Sequence, residues 1–244
     1  MSGKVYLIGA GPGDPELLTV KARKLIDQSD VVLYDSLVGT ALIESIPSHI
    51  KLIHCGKDVY LADIRQDKIN ELMVEHAQRG KMVARLKGGD ASLFGRLNDE
   101  TKVLEQHGID YKVVPGISAG VAAAAALGIP LTDRGVASGV SFVTGHFAPD
   151  KTEETINWQS LVNSQHTLVF YMGVARLEHI TAQLIEHGMT ASTSTTIIEN
   201  VSTPDQRVTF GELQNIAALA QEKNVKAPAV VIVGEVAGKL RHHG

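Results

Sequence analysis

The 244-residue sequence predicts an α/β protein of two lobes, the first built on a mostly parallel sheet and the second on a mixed sheet. In the first half, short apolar runs rich in Val, Ile and Leu alternate with amphipathic stretches, which is the pattern of a parallel sheet covered on both faces. In the second half, two strand-like runs stand too close together for a helix to separate them. Part of that sheet is therefore predicted to be antiparallel.

The first half carries the more regular pattern. Asp14 followed by Pro15 fits a helix start, with an aspartate cap and then proline at the first helical position. The pattern predicts strands at residues 5–10, 30–34, 51–54, 82–86 and 111–114, and helices at 16–28, 40–45, 64–78, 98–107 and 119–127.

An alanine-rich stretch interrupted by glycine and proline, residues 117–135, is predicted to be the junction between the lobes. It divides the chain into an N-terminal lobe, 1–116, and a C-terminal lobe, 136–244. In the latter the pattern predicts strands at 139–144, 167–171, 194–198, 206–210 and 229–233, and helices at 177–187 and 213–222.

The composition is that of an ordinary globular protein, with 44% hydrophobic and 20% charged residues. A net charge of −4 argues against nucleic-acid binding through a basic face, and no apolar run approaches the roughly 20 residues that span a membrane. The single cysteine, Cys55, excludes an internal disulfide and a zinc site built on several cysteines, and no metal site is expected. Since the N-terminus has no targeting pattern, the protein is expected in the cytoplasm.

A glycine-rich turn follows the first predicted strand and contains Gly9, Gly11 and Gly13. Its position suits a dinucleotide fingerprint, but Asp14 occupies the place of the third glycine, where its carboxylate would repel a pyrophosphate. A dehydrogenase is therefore a poor fit. Taken alone, the turn is better explained by a tight strand-to-helix connection that needs positive φ angles.

Two further features follow predicted strands. The turn Gly88-Gly89-Asp90 ends the strand at 82–86, and Asp35 ends the strand at 30–34. Because ligands bind beyond the carboxyl ends of parallel strands, these features and the first glycine turn are predicted to lie at one edge of the sheet. The alternative for Asp35 is a turn residue that caps the next segment.

Several sequence blocks, in a fixed order along most of the chain, resemble the uroporphyrinogen-III C-methyltransferases of the tetrapyrrole methylase family. They are residues 5–18, 34–38, 85–90, 114–117, 128–135, 142–146, 171–173, 203–207 and 228–236. The resemblance implies two α/β lobes with a cofactor cleft between them, a homodimer, and S-adenosylmethionine as cofactor. This donor carries no phosphate, which agrees with the failed dinucleotide match.

The resemblance also implies which residues contact the cofactor. Met172 would otherwise be core filler in an apolar run, and at Val201 the family has glycine, so that contact would run through the main chain. The implied cofactor-binding residues are Pro12, Gly88, Gly89, Asp90, Leu93, Ser118, Ala119, Met172 and Val201.

By the same resemblance, the enzyme adds methyl groups to two ring carbons of uroporphyrinogen III and yields precorrin-2 for sirohaem and cobalamin. Asp35 is the implied proton acceptor and Lys57 the implied donor; Lys57 alone would be read as a solvated lysine. Three arginines in or beside the blocks are predicted to bind the carboxylates of the substrate, with surface solvation as the alternative: Arg96, Arg134 and Arg207.

The chain departs from the family at residues 58–70, at Leu97-Asn98 and at Asp133, changes expected on the macrocycle side of the site. The alternatives to the activity above are another precorrin or cobalt-precorrin methylase, a diphthamide or ribosomal-RNA methylase of the same fold, and a nucleotide-binding regulator. The lack of an overall basic surface disfavours the RNA methylase, and Asp14 disfavours the nucleotide-binding protein.

Overall fold

The computed structural model describes residues 3–55, 62–145 and 156–238. The chain divides into two compact units, Met1–Ala119 and Gly120–Gly244. The lobe boundaries predicted from the sequence, with a junction at 117–135, stay a prediction.

The first unit is built on a five-stranded sheet in which every neighbouring pair is parallel, in the order β3-β2-β4-β1-β5. Its strands are β1 (Lys4–Gly9), β2 (Val31–Tyr34), β3 (Lys51–His54), β4 (Met82–Lys87) and β5 (Asp110–Val114). Its helices are α1 (Val20–Asp27), α2 (Thr40–Glu44), α3 (Ala62–Gln78) and α4 (Leu97–Gln106). This arrangement confirms the predicted fold class for the first half.

Both faces of this sheet are covered, which explains the continuous apolar character of its central strands. Ile8 and Val32 pack with Ile26 of α1 on one face, whereas Leu7 and Leu33 pack with Met73 of α3 on the other. Burying each of these side chains contributes about 1.5–3 kcal/mol.

The prediction of one continuous helix at 16–28 was wrong. Asp14 caps only a short 3-10 turn, Pro15–Leu17, by accepting the Glu16 N–H at 2.8 Å. Leu18 is then extended, and α1 begins after Thr19, whose hydroxyl accepts the Ala22 N–H at 3.1 Å. Two competing caps lie five residues apart, and the second one starts the α-helix.

The second unit contains a mixed five-stranded sheet in the order β6-β7-β10-β8-β9. The first pair is parallel and the other three pairs are antiparallel, including β8 with β9, as the sequence predicted. The strands are β6 (Val140–Thr144), β7 (Thr167–Tyr171), β8 (Ser194–Glu199), β9 (Arg207–Glu212) and β10 (Ala229–Val233). The helices are α5 (Ala119–Leu127), α6 (Trp158–Asn163), α7 (Leu177–Glu186) and α8 (Ile216–Glu222).

Two elements of this unit differ from the sequence prediction. The short helix α6 was missed; it begins where Asn157 accepts the Ser160 N–H at 2.9 Å. The last helix begins at 216 rather than 213, and the N–H groups of Leu213 and Gln214 instead donate to the carbonyl oxygens of Thr193 at 2.8 Å and Ala191 at 3.0 Å.

In the part of the chain that the structure describes, no helix is long and apolar enough to cross a membrane. Among the same residues, no group of three or more His, Cys, Asp or Glu side chains is placed to hold a metal ion.

Candidate active site

The loops that follow β1 and β4 are joined to each other at the carboxyl edge of the first sheet. The Gly11 N–H donates to the carbonyl oxygen of Gly89 at 3.1 Å, and the Gly89 N–H donates back to Gly11 at 2.7 Å. Both residues have positive φ angles, 78° and 70°, which favour glycine. The two glycine turns that the sequence placed at one edge therefore contact each other directly.

The loop after β5 crosses the same edge with almost no clearance. A Cβ atom on Gly9 would lie 2.6 Å from the Gly116 nitrogen, and one on Gly116 would lie 2.3 Å from the Gly89 oxygen. The loop after β2 is equally close, since a Cβ on Gly39 would lie 2.5 Å from the Gly13 oxygen. Loops from four strands thus form one compact, closely packed rim, defined here as the first-sheet rim.

Asp90 fastens two of these loops. One carboxylate oxygen accepts the Gly116 N–H at 2.8 Å, and the other accepts the Ser92 N–H at 2.8 Å together with the Ser92 hydroxyl. Partial burial alone would raise the pKa of Asp90, but these hydrogen bonds from Ser92 and Gly116 hold the pKa below its ordinary value. The charged carboxylate is therefore the form that the folded loop favours.

Replacing Asp90 by asparagine is expected to lower the free energy of unfolding by about 1.5–3 kcal/mol at neutral pH, since hydrogen bonds to a charged acceptor are lost. Because the folded pKa is depressed, this contribution is present above the unfolded value of 3.8 and disappears as the pH falls through the folded pKa. Urea unfolding of both proteins at several pH values measures it. A difference in unfolding free energy that stays constant on acidification would contradict the assignment.

Asp35 follows β2 on the first-sheet rim. Its Oδ2 accepts a hydrogen bond from Nη2 of Arg85 at 3.0 Å, and its Oδ1 accepts the Leu37 N–H at 3.1 Å. The side chain is 25% exposed. Because each carboxylate oxygen has two lone pairs, both retain one that can accept a proton or a hydrogen bond from a ligand. Asp35 is therefore both oriented by the fold and reachable from solvent.

Behind Asp35 lies a buried chain of alternating charges that the sequence interpretation missed. Arg85, 3% exposed, donates from Nε to Glu100 at 3.1 Å, and the fully buried Glu100 accepts from Lys87 at 2.6 Å. We call Asp35, Arg85, Glu100 and Lys87 the Asp35 charge cluster, because each of these charged side chains contacts the next. Arg85 and Lys87 stand two residues apart in a central strand, and such buried cations were the available signal.

Burial alone would lower the pKa of the Arg85 guanidinium, but Asp35 and Glu100 raise it, so Arg85 stays charged. For Lys87, burial is the stronger influence and lowers the pKa despite the adjacent Glu100. Arg85 also donates from Nη1 to the carbonyl oxygen of Leu86 at 2.7 Å. Each nitrogen of the Arg85 guanidinium thus has a fixed acceptor, and the group cannot rotate without breaking them.

In the second unit, the ends of β7 and β8 flank the start of β10, so the residues that follow them share one edge of that sheet. Met172 follows β7, is 50% exposed and has a φ of 55°; it is not core filler. Val201 follows β8 and is buried. Its neighbours Asn200 and Ser202 also have positive φ angles, and strained residues of this kind cluster at functional sites.

Residues 4–217 match the model of the tetrapyrrole (corrin/porphyrin) methylases. The chain belongs to the tetrapyrrole methylase family. It is 47% identical to the S-adenosyl-L-methionine-dependent uroporphyrinogen III methyltransferase of Methanosarcina barkeri, over 96% of this chain and 92% of that protein. It is 45% identical to the uroporphyrinogen-III C-methyltransferase of Priestia megaterium, over 96% and 98%.

Among solved structures, the methylase resembles the uroporphyrin-III C-methyl transferase of Thermus thermophilus complexed with S-adenosylhomocysteine. The TM-score is 0.81 with 36% identity, covering 96% of this chain and 93% of that one.

Among the predicted cofactor-binding residues of the methylase, Ser118, Ala119 and Leu93 lie on the first-sheet rim or beside it. Ser118 and Ala119 face the Gly89 turn, because a Cβ on Gly89 would lie 3.7 Å from the Ser118 Cα and the Ala119 nitrogen. Leu93 closes the turn that begins at Asp90, where its N–H is bonded to the Asp90 carbonyl oxygen at 3.3 Å. This rim offers main-chain groups and small residues, which suit an adenosyl ligand without phosphates. The contacts themselves stay predictions.

The predicted catalytic and substrate-binding residues of the methylase differ in their exposure and in their hydrogen-bond partners. Arg96 donates to Asp99 at 2.8 Å from an exposed turn, and Arg134 is exposed beside the bridge between Asp133 and Ala137. Arg207 is held by Glu199 at 3.0 Å and by main-chain oxygens of the turn at 223–224. Lys57 lies outside the described residues, as do the departures at 58–61.

Proposed function

We propose that this methylase transfers methyl groups from S-adenosylmethionine to two ring carbons of uroporphyrinogen III, giving precorrin-2. The observation that carries the proposal is Asp35, oriented by Arg85 and reachable from solvent, on the same rim as Gly89 and Asp90 in a chain of this family. The name of the Methanosarcina barkeri relative states the same donor and the same substrate.

The first-sheet rim supports binding of the donor. S-adenosylmethionine supplies the electrophilic methyl group when it is bound. Main-chain carbonyl oxygens in the turn at Gly88 and Gly89 and the main-chain groups of Ser118 and Ala119 are suited to hold the amino-acid and adenosyl parts. Backbone carbonyls also suit a cationic sulfonium better than a ring of N–H donors would. Holding donor and acceptor in line contributes on the order of 7–11 kcal/mol to lowering the barrier.

In the proposed reaction the carbon–sulfur bond breaks as a new carbon–carbon bond forms, and the macrocycle then loses a proton. Asp35 accepts that proton through a lone pair that neither Arg85 nor the Leu37 N–H occupies. General base catalysis of this kind contributes about 10²- to 10⁴-fold. The proton donor proposed from the resemblance is Lys57.

The substrate carries several carboxylates, which require cations although the net charge of the chain is −4. Arg96 presents a fork of N–H groups beside the rim residues 88–95, and its pairing with Asp99 fixes its orientation. We propose Arg96 and the exposed Arg134 as carboxylate ligands. We propose the same role for Arg207, which is bonded to Glu199.

Incubation of the protein with uroporphyrinogen III and S-adenosylmethionine tests the proposal. We expect mass spectrometry to show a gain of two methyl groups and an equal release of S-adenosylhomocysteine. No gain on this substrate would overturn the substrate assignment. Parallel incubations with later precorrins identify the alternative, another precorrin or cobalt-precorrin methylase, and a calorimetric titration in which NAD binds instead of S-adenosylhomocysteine identifies a nucleotide-binding regulator.

We also propose that the enzyme works as a homodimer in the cytoplasm. The family resemblance supports the dimer. A sequence with the single cysteine Cys55 is in keeping with a reducing compartment.

A further inference from the structure

Binding of the donor or of the macrocycle does not explain the Asp35 charge cluster, since three of its four members are buried. A pair of cations and a pair of carboxylates alternate along it, from Lys87 through Glu100 and Arg85 to Asp35, with contacts of 2.6, 3.1 and 3.0 Å. Burying an ion pair contributes little to stability on average, because desolvation offsets the attraction between the charges. An arrangement of four charges that reaches the surface only at Asp35 therefore calls for a functional reason.

We propose that Glu100 and Lys87 are positioning residues that act through Arg85 to set the orientation and the basicity of Asp35. This inference rests on the proposed function, in which Asp35 accepts a proton. Glu100 holds the Arg85 Nε and so fixes the direction in which Nη2 meets Asp35. Lys87 in turn holds the second oxygen of Glu100.

The contacts show how the four charges are shared. An arginine paired with one carboxylate alone stabilises that anion and makes it a weak base. Arg85 donates to Glu100 as well as to Asp35, so two carboxylates share its charge, and Lys87 in turn shares the charge of Glu100. Among the residues that the structure describes, the further titratable group beside this cluster is Cys55 after β3, whose pKa is raised by burial, so that it stays a neutral thiol. The neighbours from α3, Gln66 and Asn70, are uncharged.

Two single substitutions distinguish an effect on the basicity of Asp35 from a simple loss of structure. In Glu100→Gln the side chain keeps its size and Arg85 is left to Asp35 alone, so the acid limb of the pH profile of kcat is expected to move to lower pH. In Lys87→Met a cation is lost, and Glu100 then competes more strongly with Asp35 for the positive charge of Arg85. The acid limb is therefore expected to move to higher pH. Each shift is expected to be about 0.5–1 pH unit, less than the 1–3 of a directly adjacent charge.

A matched control and a double variant guard against misfolding. Gln66→Met removes a hydrogen bond of 3.4 Å from an uncharged side chain to Glu100 and changes no charge, so it is expected to alter stability without moving the limb. If Glu100→Gln fails to fold, the double variant Glu100→Gln/Lys87→Met restores the charge balance. Its limb is expected to lie below that of Lys87→Met, because only Glu100 differs between them.

A second readout needs no substrate. The carboxyl carbon of Asp35, labelled with ¹³C and assigned by its disappearance in Asp35→Asn, is titrated by NMR in the resting protein. Opposite displacements of its midpoint in Glu100→Gln and Lys87→Met would support the inference. Unmoved midpoints, or displacements of the same sign, would overturn it.

The two readouts also separate this inference from the proposed function. Opposite NMR displacements in a protein that leaves uroporphyrinogen III unmethylated would sustain the positioning role and overturn the activity. Methyl transfer with unmoved midpoints would sustain the activity and overturn the positioning role.

Discussion

Replacing Asp35 by asparagine is expected to lower kcat for methyl transfer by about 10²- to 10⁴-fold, the range that a general base contributes. Asparagine keeps the shape and can still accept the Leu37 N–H, but it cannot take up a proton. Affinity for S-adenosylhomocysteine, measured by isothermal titration, is expected to stay within about twofold, because the Gly89 turn and Asp90 are untouched. The two measurements together assign Asp35 to turnover rather than to donor binding.

A matched control is Asp110→Asn, which removes a carboxylate at the start of β5. Asp110 is 84% exposed and pairs with Lys4 at 3.7 Å, at the opposite edge of the sheet from Asp35. An exposed pair of this kind contributes at most about 1 kcal/mol, so the control is expected to retain kcat. Unchanged turnover in Asp35→Asn would remove Asp35 from the proposed reaction.

Replacing Gly116 by alanine is expected to weaken S-adenosylhomocysteine binding more than tenfold and to lower the free energy of unfolding by about 1–3 kcal/mol. The added Cβ would lie 2.3 Å from the Gly89 oxygen and 2.7 Å from the carbonyl group of Gly9. All of these are main-chain atoms, so relief requires the loops after β1, β4 and β5 to separate. That separation displaces Ser118 from the Gly89 turn.

The control for this change is Gly108→Ala, between α4 and β5. Nothing lies within 4 Å of a Cβ on Gly108, and only its φ of 62° opposes a side chain. It is expected to cost about 1–2 kcal/mol of stability through backbone strain while donor affinity is kept. Equal donor affinity in Gly116→Ala and the parent protein would show that the first-sheet rim does not hold the donor.

The sequence predicted the strands of both sheets closely, because a strand whose two faces are buried leaves a dense apolar run. It also predicted that the glycine turns and Asp35 share an edge, which follows from strand direction alone. Where it failed, two local signals competed. The cap at Asp14 was as good a helix start as the one at Thr19, and nothing local decides between them.

The family and its methyl donor could also be predicted from the sequence, since ordered motif blocks specify both. What only the tertiary structure decided is the environment behind Asp35. Arg85, Lys87 and Glu100 come from a strand and a helix, and their pairing requires a backbone that brings both elements behind the end of β2. Sequence order gives the kind of residue and the edge at which it lies. Electrostatics depends on distances of a few ångströms and on exclusion of water, and these exist only once the chain has folded.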